Sequence, residues 1–129
     1  MDQAVIEANR KALLKAQQGE LDAVLMYTRL ADVVPPDDAA VFRQLAAEEG
    51  HHASVFHHYT GEVLQPKKTK AVMIPLLYKT LGRKTAYSLI SGGEYSAGNN
   101  YKTLVLTFPD VQSVLDDEFR HGDMVKALL

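Results

Sequence analysis

Cysteine is absent from all 129 residues of the chain. That absence excludes disulfides, thiolate nucleophiles and a thiolate-ligated iron–sulfur or rubredoxin-type redox centre within it. A run of 18 apolar residues is also missing, so no transmembrane helix is expected. The N-terminal stretch MDQAVIEANRKALLKAQQ is amphipathic, carries acids early and has none of the apolar centre a signal peptide needs. A cytoplasmic protein is the expectation. The net charge is −2 and no Lys/Arg stripe is present, which gives no electrostatic reason to expect a nucleic-acid partner. The densest basic stretch, Lys67-Lys68-Thr69-Lys70, is short and reads as a solvated loop. Alternating β-branched runs never exceed a few residues, so strands are not expected and the fold class is all-α.

Against these absences stand 47% apolar and 23% charged residues, an ordinary balance for one globular domain spanning residues 1–129. Helical periodicity dominates. Over about 2–34, Ile6, Leu13, Glu20 and Tyr27 fall on one seven-residue row, until Pro35-Pro36 stops the helix. Over about 38–59, Phe42, Leu45, Glu49, His52, Phe56 and Tyr59 recur at intervals of three or four, and Gly61 suits the C-terminal end. Residues 62–81 are less regular and read as a crossover, with a short helix in the proline-broken apolar patch 71–78. A third long helix is expected over about 83–106, with Tyr87, Ile90, Glu94, Ala97, Tyr101 and Leu104 inward. Gly92, Gly93 and Gly98 weaken it by about 1 kcal/mol each relative to Ala, which points to a close helix approach, against the bundle or a partner subunit. A fourth begins at Pro109-Asp110, with Val111, Val114, Glu118, His121, Val125 and Leu128 inward. Two helix pairs joined by one long crossover make the ferritin-like four-helix bundle topology.

A pattern repeats across the two pairs. Glu20 precedes Tyr27 by seven residues and Glu94 precedes Tyr101 by seven; Glu49-x-x-His52 and Glu118-x-x-His121 follow. Spacings of three and seven put each set on one helix face. One Glu from each of two helices plus Glu-x-x-His from each of two others is the ligand arrangement of di-iron bundles. Four buried carboxylates without counter-charge would each cost several kcal/mol, and two divalent cations remove that conflict. Carboxylate and imidazole without sulfur favour Fe, with Mn or Zn as substitutes. Glu20, Glu49, His52, Glu94, Glu118 and His121 are thus the predicted metal ligands, with Glu49 and Glu118 bridging. Tyr27 and Tyr101 either hydrogen-bond the ligands or lie beside the metal cavity as aromatic packing. Glu48-x-x-His51 has the same spacing, but it sits about 100° round the helix from the apolar stripe. The Glu49/His52 register is therefore preferred, with His51, His57 and His58 toward the surface.

The stretches GELDAVLMYTRLA, AAEEGHHASVF, GGEYSAGNNY and DDEFRHGDM, which cover nearly the whole chain, resemble the ferritin-like di-iron carboxylate superfamily and most closely a rubrerythrin-type domain. The resemblance implies two iron ions on the six residues named, reaction with hydrogen peroxide or dioxygen, and a homodimer. Rubrerythrins usually place a second carboxylate one turn from the Glu of the third helix, where this chain has Ser91 and Ala97. They commonly carry a cysteine-rich electron-donor module, so here the donor would be a separate protein. A cage-forming ferritin is not expected of so short a chain. EEGHHASVF, YSAGNNYKTL and DDEFRHGDM are also similar to demethoxyubiquinone hydroxylases, monooxygenases that sit peripherally on membranes. On that reading residues 71–78 would contact a lipid surface; otherwise they form a dimer interface or a bundle cap. Iron handling without catalysis, or metal held for structure, completes the alternatives.

Overall fold

Helix α1 (Gln3–Ala8) ends at Asn9, and α2 (Arg10–Ala31) starts directly after it. The sequence pattern predicts one helix here, and the reason for two is local. The Asn9 amide donates to the carbonyl of Val5 at 2.8 Å, and its backbone takes φ −110°, ψ 6°. The Val5 carbonyl thus accepts from both the side chain and the backbone N–H of Asn9, and the helix is interrupted where the Asn9 backbone leaves helical geometry. The structure is a computed structural model and describes residues 2–129. The remaining elements are α3 (Pro36–Thr60), α4 (Thr69–Leu81), α5 (Arg83–Thr107) and α6 (Val111–Lys126). Among the described residues there is no strand, and no helix is long and apolar enough to cross a membrane. They fall into two compact units, residues 2–72 and 73–129.

The first unit is built on the α2–α3 hairpin. Pro36 occupies the first position of α3, where a missing N–H costs nothing. Asp37 and Asp38 follow in the first turn, against the positive end of the helix dipole. Gly61 closes α3 in the left-handed region at φ 66°, as its position in the sequence predicts. Leu13, Leu30, Phe42, Leu45 and Phe56 are fully buried, and Tyr27 stacks on Phe42 with ring centroids 5.7 Å apart. The segment after Gly61 runs along α2. Gln17 donates to the carbonyl of Glu62 and Gln18 to that of Gln65, both at 2.8 Å, and the Lys67 N–H donates to Asp22 at 2.7 Å.

Helix α4 begins in the last residues of the first unit and continues through Pro75 into the second, although proline deprives the Ala71 carbonyl of its partner. The bonds at each end persist: Val72 N–H to Lys68 at 3.0 Å and Gly82 N–H to Tyr78 at 3.1 Å. Tyr78 stacks on Tyr87, centroids 6.0 Å apart. Helices α5 and α6 form the second hairpin, joined through buried Phe108.

Small residues let that hairpin close, though not at all the glycines the sequence singles out. A Cβ on Gly98 would meet the Phe119 ring at 3.0–3.2 Å, and one on Gly122 would meet Tyr95 at 2.5–2.8 Å. Gly92 and Gly93 have no neighbour within 4 Å of such a Cβ. Opposite outcomes follow for two alanine substitutions. Gly93→Ala raises unfolding free energy by about 1 kcal/mol, because the helix gains intrinsic propensity. Gly122→Ala lowers it by about 1–3 kcal/mol, because the Tyr95 ring must move. Urea denaturation of the two variants checks both signs.

Candidate metal centre

Each hairpin brings two carboxylates and an imidazole to one buried point. In the first, α2 supplies Glu20 and α3 supplies Glu49 and His52; in the second, α5 supplies Glu94 and α6 supplies Glu118 and His121. None of the six is more than 6% exposed. They occupy helix rows otherwise filled by apolar side chains, such as Leu13 and Tyr27 on α2 and Leu45 and Phe56 on α3. Interior placement therefore follows from the same periodicity that buries the core.

The local geometry is alike in both units. His52 Nδ1 lies 3.1 Å from Glu49 Oε1 and 3.5 Å from Glu20 Oε2. His121 Nδ1 lies 3.7 Å from Glu94 Oε2 and 4.0 Å from Glu118 Oε1. Glu20, Glu49 and His52 each offer a ligand atom within 4.8 Å of the others, and so do Glu94, Glu118 and His121. In both cases Nδ1 faces the carboxylates, from the third residue after its Glu on the same helix.

Electrostatics mark this interior as strained without a cation. The Glu20 carboxyl is pushed up from 4.5 to about 8, first by burial and then by the charge of Glu49, with His52 opposing the shift. Buried acids that repel one another hold protons unless positive charge is supplied. The donor set itself is hard oxygen plus imidazole nitrogen without sulfur, which fits Fe, Mn or Zn. These groups are able to hold a metal ion.

The other sequence candidates separate cleanly. Glu48 is half-buried and His51 exposed, whereas Glu49 and His52 are buried, so the structure buries the preferred register. His57 and His58 are exposed. Tyr27 and Tyr101 are both buried; Tyr27 packs face to face on Phe42. Ala97 is half-buried.

Ser91 has a role that sequence reasoning did not assign. It is buried, and its hydroxyl donates to the Gly122 carbonyl at 2.9 Å, pinning α5 to α6 one residue beyond His121. One turn along α5 on the same seam is Tyr95, whose hydroxyl donates to Asp123 of α6 at 2.6 Å. That bond holds the Tyr95 proton and raises its ionisation above the usual phenol value. Gly122 is the sequence signal for this seam: a mid-helix glycine costs about 1 kcal/mol and calls for a steric reason.

A family model described as Rubrerythrin matches residues 11–129. No curated protein and no solved structure gives a match to the chain.

Proposed function

The chain belongs to the rubrerythrin family, and from that premise we propose that it is a non-haem di-iron protein that reacts with hydrogen peroxide or dioxygen. The observation that carries the proposal is the repetition, in two hairpins, of a buried Glu, Glu, His set with Nδ1 turned toward both carboxylates. Glu20, Glu49, His52, Glu94, Glu118 and His121 hold two iron ions, four carboxylates against a charge of +4. When bound, iron supplies the one-electron redox steps that these side chains lack.

The residues of the chain hold, orient and exclude. The i, i+3 spacing on α3 and α6 sets the carboxylate and imidazole of each pair side by side. Fully buried Phe42, Leu45 and Phe56 line α3 on the row of Glu49 and His52, which keeps water from competing for the ligands. Ser91 keeps α6 in register with α5, so that His121 faces Glu94.

Reduction of hydrogen peroxide to two waters consumes two electrons and two protons. With no cysteine in these 129 residues, the electrons that restore the ferrous state come from a donor outside them. Stopped-flow mixing of Fe(II)-loaded protein with peroxide tests this. The expected result is ferric absorption that rises rapidly, decays when a chemical reductant is added and rises again with further peroxide, with iron retained throughout. A single oxidation followed by release of ferric iron would assign the protein to iron handling instead, and inertness toward both oxidants would leave only metal binding.

A further inference from the structure

In the second unit each predicted ligand is followed in sequence by a member of one small assembly. Tyr95 follows Glu94, Phe119 follows Glu118 and Gly122 follows His121. The assembly joins α5 and α6 in both directions. Tyr95 of α5 lies over Gly122 of α6, where a Cβ would stand only 2.5–2.8 Å from its ring. Phe119 of α6 lies over Gly98 of α5, where a Cβ would stand 3.0–3.2 Å away. The two ring centroids are 6.2 Å apart. Two polar bonds close the seam: Ser91 to the Gly122 carbonyl at 2.9 Å, and the Tyr95 hydroxyl to Asp123 at 2.6 Å. All six residues belong to the second unit.

Among its described residues the first unit has no such assembly around its own set. The sequence repeat aligns Glu20, Glu49 and His52 with Glu94, Glu118 and His121, and the residues that follow there are Leu21, Gly50 and Ala53. None is aromatic. A Cβ on Gly50 would meet Val24 at 3.9 Å, an ordinary contact. Ser54 takes the place of Asp123, and it donates within its own helix, to the His51 carbonyl at 2.6 Å. The α2–α3 hairpin is tied elsewhere, near its end, where buried Thr60 donates to buried Gln17.

We propose that the Tyr95–Asp123 bond positions Glu94 and His121 for metal, and so governs one ion of the pair without governing the other. The bond fastens α5 at the residue after Glu94 to α6 two residues after His121. Backbone pinned beside a ligand fixes the point from which its side chain reaches, and such outer contacts tune affinity without touching the metal. Tyr95 and Asp123 are therefore positioning residues. The inference rests on the di-metal reading above, and it adds that the two ions are set by different devices. The hydroxyl is a clean lever on the seam. Tyr95→Phe keeps the ring over Gly122, and Asp123→Ala changes an exposed side chain.

Titration of the metal-free full chain with Co(II) against a competing chelator tests this, with visible absorption reporting coordination geometry. Tyr95→Phe and Asp123→Ala should each weaken one of two bound ions by about tenfold and shift its absorption. The double variant should be no weaker than either single one, because both remove the same bond. Two backgrounds assign the affected ion. In Glu20→Gln, which leaves the α5–α6 set intact, Tyr95→Phe should weaken the remaining ion by the same factor. In Glu94→Gln, which leaves the α2–α3 set intact, Tyr95→Phe should change neither affinity nor spectrum. Loss in both backgrounds would overturn the proposal in favour of general loosening of the fold. A lower melting temperature in chelator with both affinities unchanged would overturn it in favour of a packing role alone. Failure of the parent to bind two Co(II) ions would overturn the di-metal reading, and the proposal with it.

Discussion

Glu49→Gln and Glu118→Gln should each leave a protein that folds but retains at most one iron ion per chain, where two are expected of the parent on the proposed reading. The expected loss of affinity is at least about a hundredfold, because each change removes a charged ligand and not merely a group that orients one. Glutamine is the informative replacement. It keeps the size of the side chain, so no cavity opens in a region where both residues are only 2% exposed. It also removes a buried negative charge, which without metal is a liability. A drop in iron with an unchanged or higher melting temperature in chelator therefore reports on ligation and not on folding. Glu48→Gln and His51→Ala serve as controls from the neighbouring register, and both should keep two ions. Elemental analysis of protein produced with iron, followed by titration of the metal-free form, gives both numbers. Two ions bound with unchanged affinity in both Glu49 and Glu118 variants would remove these residues from the centre.

The burial of Glu49 and His52, with Glu48 and His51 further out, is legible in the sequence alone, for a reason with limits. A buried helix face repeats every three or four residues, and Glu49 and His52 share the row of Leu45 and Phe56. The placement of polar groups among apolar ones therefore carries the information. Helix ends were equally legible where proline or glycine acts directly, at Pro36 and at Gly61 with φ 66°. What the pattern misses is what depends on a partner atom. The first helix is interrupted at Asn9, where the backbone leaves helical geometry and the side chain bonds to Val5, and asparagine elsewhere in a helix does not oblige this. Gly122 is spaced like any helical residue, and only the Tyr95 ring, 2.5 Å from where its Cβ would lie, explains it. Conversely, Gly92 and Gly93 read as close-packed yet face open space within the chain. Pro75 breaks the apolar patch in sequence, but α4 passes through it, since one missing N–H costs a single ladder bond while those flanking it remain. The reaction is the least legible level. A donor set limits the metal, but the substrate depends on how the centre is reached and what reduces it.

The metal-free chain should become less stable as pH rises from about 5 to about 8, the opposite of the usual trend for a protein rich in paired carboxylates. Glu20 is the cause. Its carboxyl ionises near 4.5 in the unfolded chain and only at about 8 in the folded one, because burial and the neighbouring Glu49 both resist a second negative charge. Between those values the native state holds a proton that the unfolded state has released. The unfolded form binds fewer protons, so unfolding becomes easier with each increment of pH. Stability associated with Glu20 is fully present below about 4.5, declines across the interval and is gone above about 8. The amplitude is on the order of several kcal/mol. Bound metal reverses the slope: ligands must be deprotonated to coordinate, so the ion adds more stability as pH rises. Urea denaturation at the two ends of this interval, in chelator and in excess metal, measures both slopes. Glu20→Gln isolates the group responsible. In chelator it should flatten the descent and raise stability at the alkaline end, and with metal it should lose most of the added stability. If parent and variant descend in parallel in chelator, the strain lies elsewhere. If the metal-free parent gains stability toward pH 8, the buried carboxylates are already compensated within the fold, and the case for a resident cation falls with them.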